Sequence, residues 1–164
     1  MPDLICDTSP LQYLYQLGHL NILPELADQI LAPPAVLDEL NEGREQGIDL
    51  PTPKERPWIT VQSPTSAPAL PLVTDLGPGE REVLALALES TDCVAVLDDK
   101  VARRSARRLD LKFTGTLGLL LDAKSAGLID AVASLLDRLE DLNFHLAPAP
   151  RRPILRRADG QTPT

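Results

Sequence analysis

The chain has 164 residues, 43% hydrophobic and 24% charged, the proportions of a globular domain long enough to bury roughly 70% of its unfolded surface without a disulfide or a structural metal. Aromatic residues make up only 3%, so the core falls to Leu, Val, Ile and Ala, and a base-stacking platform for single strands is excluded. The formal net charge of −8 opposes nucleic acid on average, but the positive charge is not spread evenly.

Lys100, Arg103, Arg104, Arg107, Arg108 and Lys112 face one acid, Asp110, in residues 100–112, and Arg151, Arg152, Arg156 and Arg157 face only Asp159 in 148–160. Those two stretches hold ten of the 16 basic residues. Cys6 and Cys93 each lie in an apolar run, outside any metal or redox spacing, and read as reduced core residues of a cytoplasmic protein. "MPDLICDTSP" has an acid at position 3 and no basic flank or long apolar segment, so neither a signal peptide nor a membrane span is expected.

Along the chain, short apolar runs alternate with amphipathic segments, the pattern of a parallel sheet covered by helices. "LIC" at 4–6 reads as a buried strand followed by Asp7. Ser9 is the expected cap of the next helix, with Pro10 in its first turn, Leu11, Leu14, Tyr15 and Leu17 as its stripe and Gly18 at its end. Leu20, Ile22 and Leu23 lead into a short helix, and "QILA" at 29–32 is a second strand. Pro33 and Pro34 open a helix on which Ala35, Val36, Glu39 and Leu40 share a face.

Residues 47–71 form a Pro-rich excursion whose one ordered feature is an expected edge strand at "WITVQS". "LGPGEREVLALALE" restores helical spacing, with Glu80, Val83, Leu84, Ala87 and Leu88 on one side. "CVAVLDD" is a continuous apolar strand that stops at Asp98 and Asp99, and an Arg-rich helix follows. "KFT" at 112–114 is a further strand, and "GTLGLLLDAKSAGLI" and "DAVASLLDRLEDL" are two helices. One domain over 1–142 is expected, with a Pro/Arg-rich tail, 143–164, that has no core of its own.

Ligands of open parallel sheets bind at the carboxyl ends of the strands. Asp7 and Asp98 both follow strands at that edge, and Glu39 and Glu80 lie on inward faces near the starts of helices that open there. Four carboxylates therefore converge, with Asp99 as a fifth. Packed like charges raise one another's pKa values, whereas Mg²⁺ or Mn²⁺ takes oxygen ligands and keeps waters for a substrate phosphate. Such an ion generates hydroxide and stabilises the leaving oxygen of a phosphodiester. Arg103 with Arg107 and Arg104 with Arg108, each pair four residues apart, line a helix that starts beside the acids and suit a polyanionic substrate. His19 and His145 have no ligand-like spacing. Each acid also has a plain structural alternative, since Asp7, Asp98 and Asp99 suit helix caps, Glu80 suits a helix N-terminus and Glu39 suits an exposed helix face.

Asp7 in "LICDTSP", Glu39 in "AVLDEL", Glu80 in "LGPGEREVLALALE" and Asp98 in "VLDDKVARR", followed by "FTGTLGLLLDAKSAGLI", make an ordered set over residues 3–142. That set resembles the PIN-domain nucleases, and more narrowly the small prokaryotic branch related to the toxins of toxin-antitoxin pairs. The resemblance implies a three-layer α/β/α fold with a mostly parallel sheet and a Mg²⁺- or Mn²⁺-dependent endoribonuclease activity. It also implies a homodimer and a neutralising antitoxin as partners besides RNA. Its metal ligands fall on Asp7, Glu39, Glu80 and Asp98, with Asp99 assisting. Thr8 and Ser9 match its small polar positions after the first acid, and RNA contacts are expected from these two and from Arg103, Arg104, Arg107 and Arg108. Glu80 is preferred to Glu82 because its helical neighbours Val83, Leu84 and Ala87 are apolar. The main alternative is a PIN-like module that has lost catalysis and binds nucleic acid or protein. A receiver domain does not fit, because the acidic pair lies late in the chain, and "DTSP" lacks the second aspartate of a haloacid-type phosphatase.

Overall fold

The computed structural model describes residues 1–65 and 76–142. The expected C-terminal tail and the end of the Pro-rich excursion lie outside those residues. Five strands, β1 (Asp3–Cys6), β2 (Ile30–Ala32), β3 (Ile59–Val61), β4 (Cys93–Val96) and β5 (Phe113–Thr114), form one sheet in the order β3-β2-β1-β4-β5, with every pairing parallel. Helices α1 (Thr8–Gln16), α2 (Leu23–Leu26), α3 (Pro34–Glu45), α4 (Pro78–Glu89) and α5 (Lys100–Arg108) make the crossovers, giving the α/β/α class expected from the sequence. The chain falls into two compact units, Met1–Thr116 and Leu117–Thr164. The first carries the whole sheet and helices α1–α5. α6 (Thr116–Ser125) runs on from it, and in the second unit α7 (Ala133–Asp141) buries Leu135, Leu136 and Leu139 along one stripe.

Leu4 to Cys6 of β1 and all of β2 are buried and apolar on both faces, as strands sandwiched between helices must be. Ile5, Leu11, Leu14, Leu40, Leu84 and Leu86 are among the large side chains with no exposure, so aliphatic packing supplies the apolar burial that aromatic rings supply elsewhere. β3 is the edge strand read from "WITVQS", and its Thr60 and Val61 are exposed. Among the described residues no helix is long and apolar enough to cross a membrane.

Register does more than order to place chemistry. Leu4 pairs with Val94 and Cys6 with Val96, so the residues following β1 and β4 emerge at the same level, and the Asp7 amide continues the ladder by donating to the Val96 carbonyl at 3.1 Å. On the other side Val96 pairs with Thr114, and Leu97 donates to the Thr114 carbonyl at 2.8 Å, which brings Asp98 level with Thr116. The chain leaves β1 toward β2 and leaves β4 toward β5, in opposite directions. The crevice between β1 and β4 is thus the switch point where open sheets bind ligands.

Two details differ from the sequence reading. α1 begins two residues earlier than a Ser9 cap allows: Asp7 holds the cap position with extended backbone, φ −79° and ψ 172°, and its side chain caps nothing. β4 ends at Val96 rather than at the aspartates: the Leu97 amide makes a last bond to the Thr114 carbonyl, and Asp99 is already the cap of α5. Glu82 serves the fold, since its carboxylate accepts from the Ala35 amide at 3.1 Å. That amide is one of the orphan donors of α3, whose first residue, Pro34, has none to offer. Glu82→Ala removes the acceptor and is expected to lower the unfolding free energy by about 1–2 kcal/mol, seen as a lower urea midpoint with an unchanged m-value.

Candidate metal centre

Asp7 is 5% exposed, and its Oδ1 is buried with no hydrogen-bond partner. Burial pushes its pKa from 3.8 up to about 7; the Thr8 amide pulls the other way, while the charges of Glu80, Glu39 and Asp98 push it further up. Those three carboxylates come from separate parts of the chain, Glu39 from α3, Glu80 from α4 and Asp98 from the turn between β4 and α5.

Glu39 projects from the middle of α3 and is held by two donors, the Thr8 hydroxyl on Oε1 at 2.6 Å and the Gly79 amide on Oε2 at 3.0 Å. A Cβ at position 79 would lie 2.6 Å from Glu39 Oε1, so a side chain there would push this carboxylate off its present donors. Glu80, next in the chain, accepts from the Gly77 amide on Oε1 at 3.1 Å, and its Oε2 is buried and unpartnered. Its pKa is raised by burial first and then by Asp99 and Glu39, against the opposing Gly77 amide. Glu80 and Glu82 therefore face different ways, one toward the acids and the other onto the start of α3.

Asp98 is gripped on both oxygens by one residue. Thr116 donates its amide to Oδ1 at 2.8 Å and its hydroxyl to Oδ2 at 2.7 Å, and Thr116 is itself 0% exposed. A Cβ on Gly115 would come within 2.7 Å of Asp98 Oδ1 and 3.1 Å of the Leu97 carbonyl, so this turn needs glycine. Burial raises the pKa of Asp98, partly offset by the two Thr116 bonds and by the charge of Arg103. Tyr13 of α1 stands near enough for the charge of Asp98, together with burial as the larger cause, to raise the pKa of its phenol. Asp99 is exposed and caps α5 by accepting from the Ala102 amide at 3.0 Å. Ser9 is half-buried beside Thr8 in the first turn of α1.

A family model described as a PIN domain matches residues 3–160, nearly the whole chain. The chain belongs to the PIN-domain family. No curated protein and no solved structure shows a significant match to it. PIN domains are in general nucleases and typically use divalent metal ions, and the donors of this PIN domain can be compared with that requirement. Among the described residues no group of three or more His, Cys, Asp or Glu side chains is arranged to hold a metal ion. The reason is local: Glu39 and Asp98 turn toward protein donors. Asp7 Oδ1 and Glu80 Oε2, by contrast, are buried oxygens that lack any partner. Hard carboxylate oxygens, left bare in a ring of like charge, suit a hard divalent cation.

Thr116, Gly115 and Gly79 hold or closely approach these carboxylates and are not apparent from motif reading. "FTGTLG" carries two of them, and only the register of β4 with β5 shows that its second threonine meets Asp98. The pH response of the metal-free protein follows from Asp7. Its folded pKa of about 7 lies above the unfolded 3.8, so the folded state keeps a proton that the unfolded chain gives up. Stability from this group is full below about pH 4 and is lost as pH rises toward 7, in total on the order of 4 kcal/mol. Asp7→Asn keeps the shape and removes the charge. In EDTA the variant is expected to be more stable than the parent at pH 8 and to lose that advantage at pH 4, measured by urea unfolding at both pH values.

Proposed function

We propose that the protein is a Mg²⁺- or Mn²⁺-dependent endoribonuclease that hydrolyses RNA phosphodiester bonds with water as the nucleophile. The observation that carries this reading is the buried, unpartnered oxygen of Asp7 at the switch point of the sheet, within reach of the charges of three other carboxylates. A purely structural cap in that place would leave an uncompensated charge in the interior, which proteins avoid.

Asp7 and Glu80 would hold the cation through their bare oxygens, with Glu39 and Asp98 completing its surroundings. A bound divalent ion supplies charge neutralisation for these acids, a more acidic water and stabilisation of the leaving oxygen. The remaining work belongs to the chain itself. Thr8 and the Gly79 amide fix the orientation of Glu39, and Thr116 fixes both oxygens of Asp98. Asp99 sets the start of α5, and with it the arginines. The family resemblance extends the proposal to the toxin of a toxin-antitoxin pair, a homodimer kept silent by an antitoxin protein.

The test is cleavage of a mixed panel of structured and single-stranded RNA by the purified protein with Mn²⁺, Mg²⁺ or EDTA. Cuts that need the metal and vanish in Asp98→Asn are expected. Equal cutting by that variant would mean that the cleavage does not come from this carboxylate cluster, and no cutting with any metal would leave a binding module as the better reading. The grip on Asp98 gives a second test, read by binding as well as by rate. Thr116→Val keeps the amide and loses the hydroxyl, and is expected to weaken Mn²⁺ binding by about 10-fold or more. Thr116→Ser, which restores the hydroxyl, should recover most of it, as judged by titration calorimetry.

A further inference from the structure

α3 and α4 begin alike. Each has proline at its first position, Pro34 and Pro78, and neither receives a side-chain cap from the residue before it. The next amides, those of Ala35 and Gly79, are among the orphan donors of a first turn, and each is taken by a glutamate of the opposite helix. Ala35 donates to Glu82 Oε2 at 3.1 Å, and Gly79 donates to Glu39 Oε2 at 3.0 Å. The two positive helix ends thus lie side by side, and the exchanged carboxylates offset their repulsion.

The two bonds close a ring. Ala35 and Glu39 are four residues apart on α3, and Gly79 and Glu82 are three apart on α4, so each pair shares one helical face. One turn of each helix and the two hydrogen bonds make a clasp. Its tolerance is small on the Gly79 side, where a Cβ would stand 2.6 and 2.9 Å from the two oxygens of Glu39. If Glu82 let go of Ala35, the first turn of α3 would be free to rotate and would carry Glu39 off the Gly79 amide. Glu80 rides on the same turn of α4, between the two clasp residues, and keeps its buried bare oxygen. The clasp therefore fixes one acid of each helix, Glu39 and Glu80, relative to the other.

We propose that Glu82 is a positioning residue of the acid cluster: pointing away from the acids, it closes the clasp that sets Glu39 against Glu80, and so sets how tightly the cluster takes a divalent cation. The cation half of the proposal rests on the nuclease reading above; the clasp itself does not. Groups that orient metal ligands from outside typically change metal affinity by about 10- to 100-fold. Two bonds in one ring also support each other, because each holds the helix that presents the other.

Two readouts on the full-length protein separate positioning from charge. The first is amide hydrogen exchange by NMR in EDTA. A first-turn amide has no carbonyl partner within its own helix, so the Gly79 rate reports the bond to Glu39. Glu82→Ala is expected to speed exchange at Gly79 by about 5-fold or more, as well as at Ala35, and Glu82→Gln, whose side-chain carbonyl still accepts from Ala35, to restore both. The second is Mn²⁺ titration by calorimetry, in which Glu82→Ala is expected to weaken binding by about 10-fold and Glu82→Gln to recover most of it. Ser90→Ala removes a side-chain bond to the Leu86 carbonyl near the far end of the same helix and should move neither readout; circular dichroism confirms that each variant is folded. Equal weakening by the alanine and glutamine variants would make the effect one of lost charge and overturn the proposal. So would an unchanged Gly79 rate or an unchanged affinity in Glu82→Ala. The two readings fail separately: a parent that binds no Mn²⁺, while Glu82→Ala still frees Gly79, would defeat the nuclease reading and the cation half with it, and Mn²⁺-dependent cutting with the Gly79 rate unmoved would defeat the clasp alone.

Discussion

The mutual register of β1 and β4 is the constraint on which the rest of the molecule depends. Once Cys6 is paired with Val96, the residues that follow the two strands must emerge side by side, and in this sequence they include Asp7 and Asp98. Like charges at such separation in a poorly solvated crevice raise each other's energy. Much of the neighbouring sequence then reads as an answer to that problem. Two glycines let backbone come close to a carboxylate, at Gly79 and Gly115. Two threonines donate hydroxyls to carboxylates, at Thr8 and Thr116.

The answer is incomplete, and the unfinished part is informative. All four carboxylate oxygens of Glu39 and Asp98 have protein donors, while Asp7 and Glu80 each keep one buried oxygen bare. A fold selected only for stability would replace Asp7 with an apolar or amide residue. Keeping the charge there is the mark of a site organised for something that arrives from solution.

Much of the fold was legible in the sequence because its signals are local. Apolar runs of three or four residues marked the strands, Pro34 and Pro78 marked helix starts, and the edge strand at Ile59–Val61 was visible inside a Pro-rich stretch. Boundaries were less legible where a residue had two uses. Ser9 looks like the better cap on composition, yet the ladder bond from the Asp7 amide to Val96 fixes the end of β1 and starts α1 at Thr8. At the site, the order of the acids was readable and their partners were not. Thr116 lies 18 residues from Asp98 and Gly79 lies 40 from Glu39, contacts that exist only once the strands have paired. Glu80 and Glu82 both sit near the start of α4. What separates them is the position of Ala35, which no helical spacing reveals.

The buried charge of Asp7 also bears on the life of the protein in a cell. Any ion that binds the folded chain and not the unfolded one shifts the balance between them by mass action. Without a bound cation, ionising Asp7 as pH rises toward 7 costs stability, so the chain opens more often and spends more time in states that proteases can cut. On the metal-bound reading proposed above, cation supply would then govern how many copies survive, so that scarcity thins the population as well as silencing it.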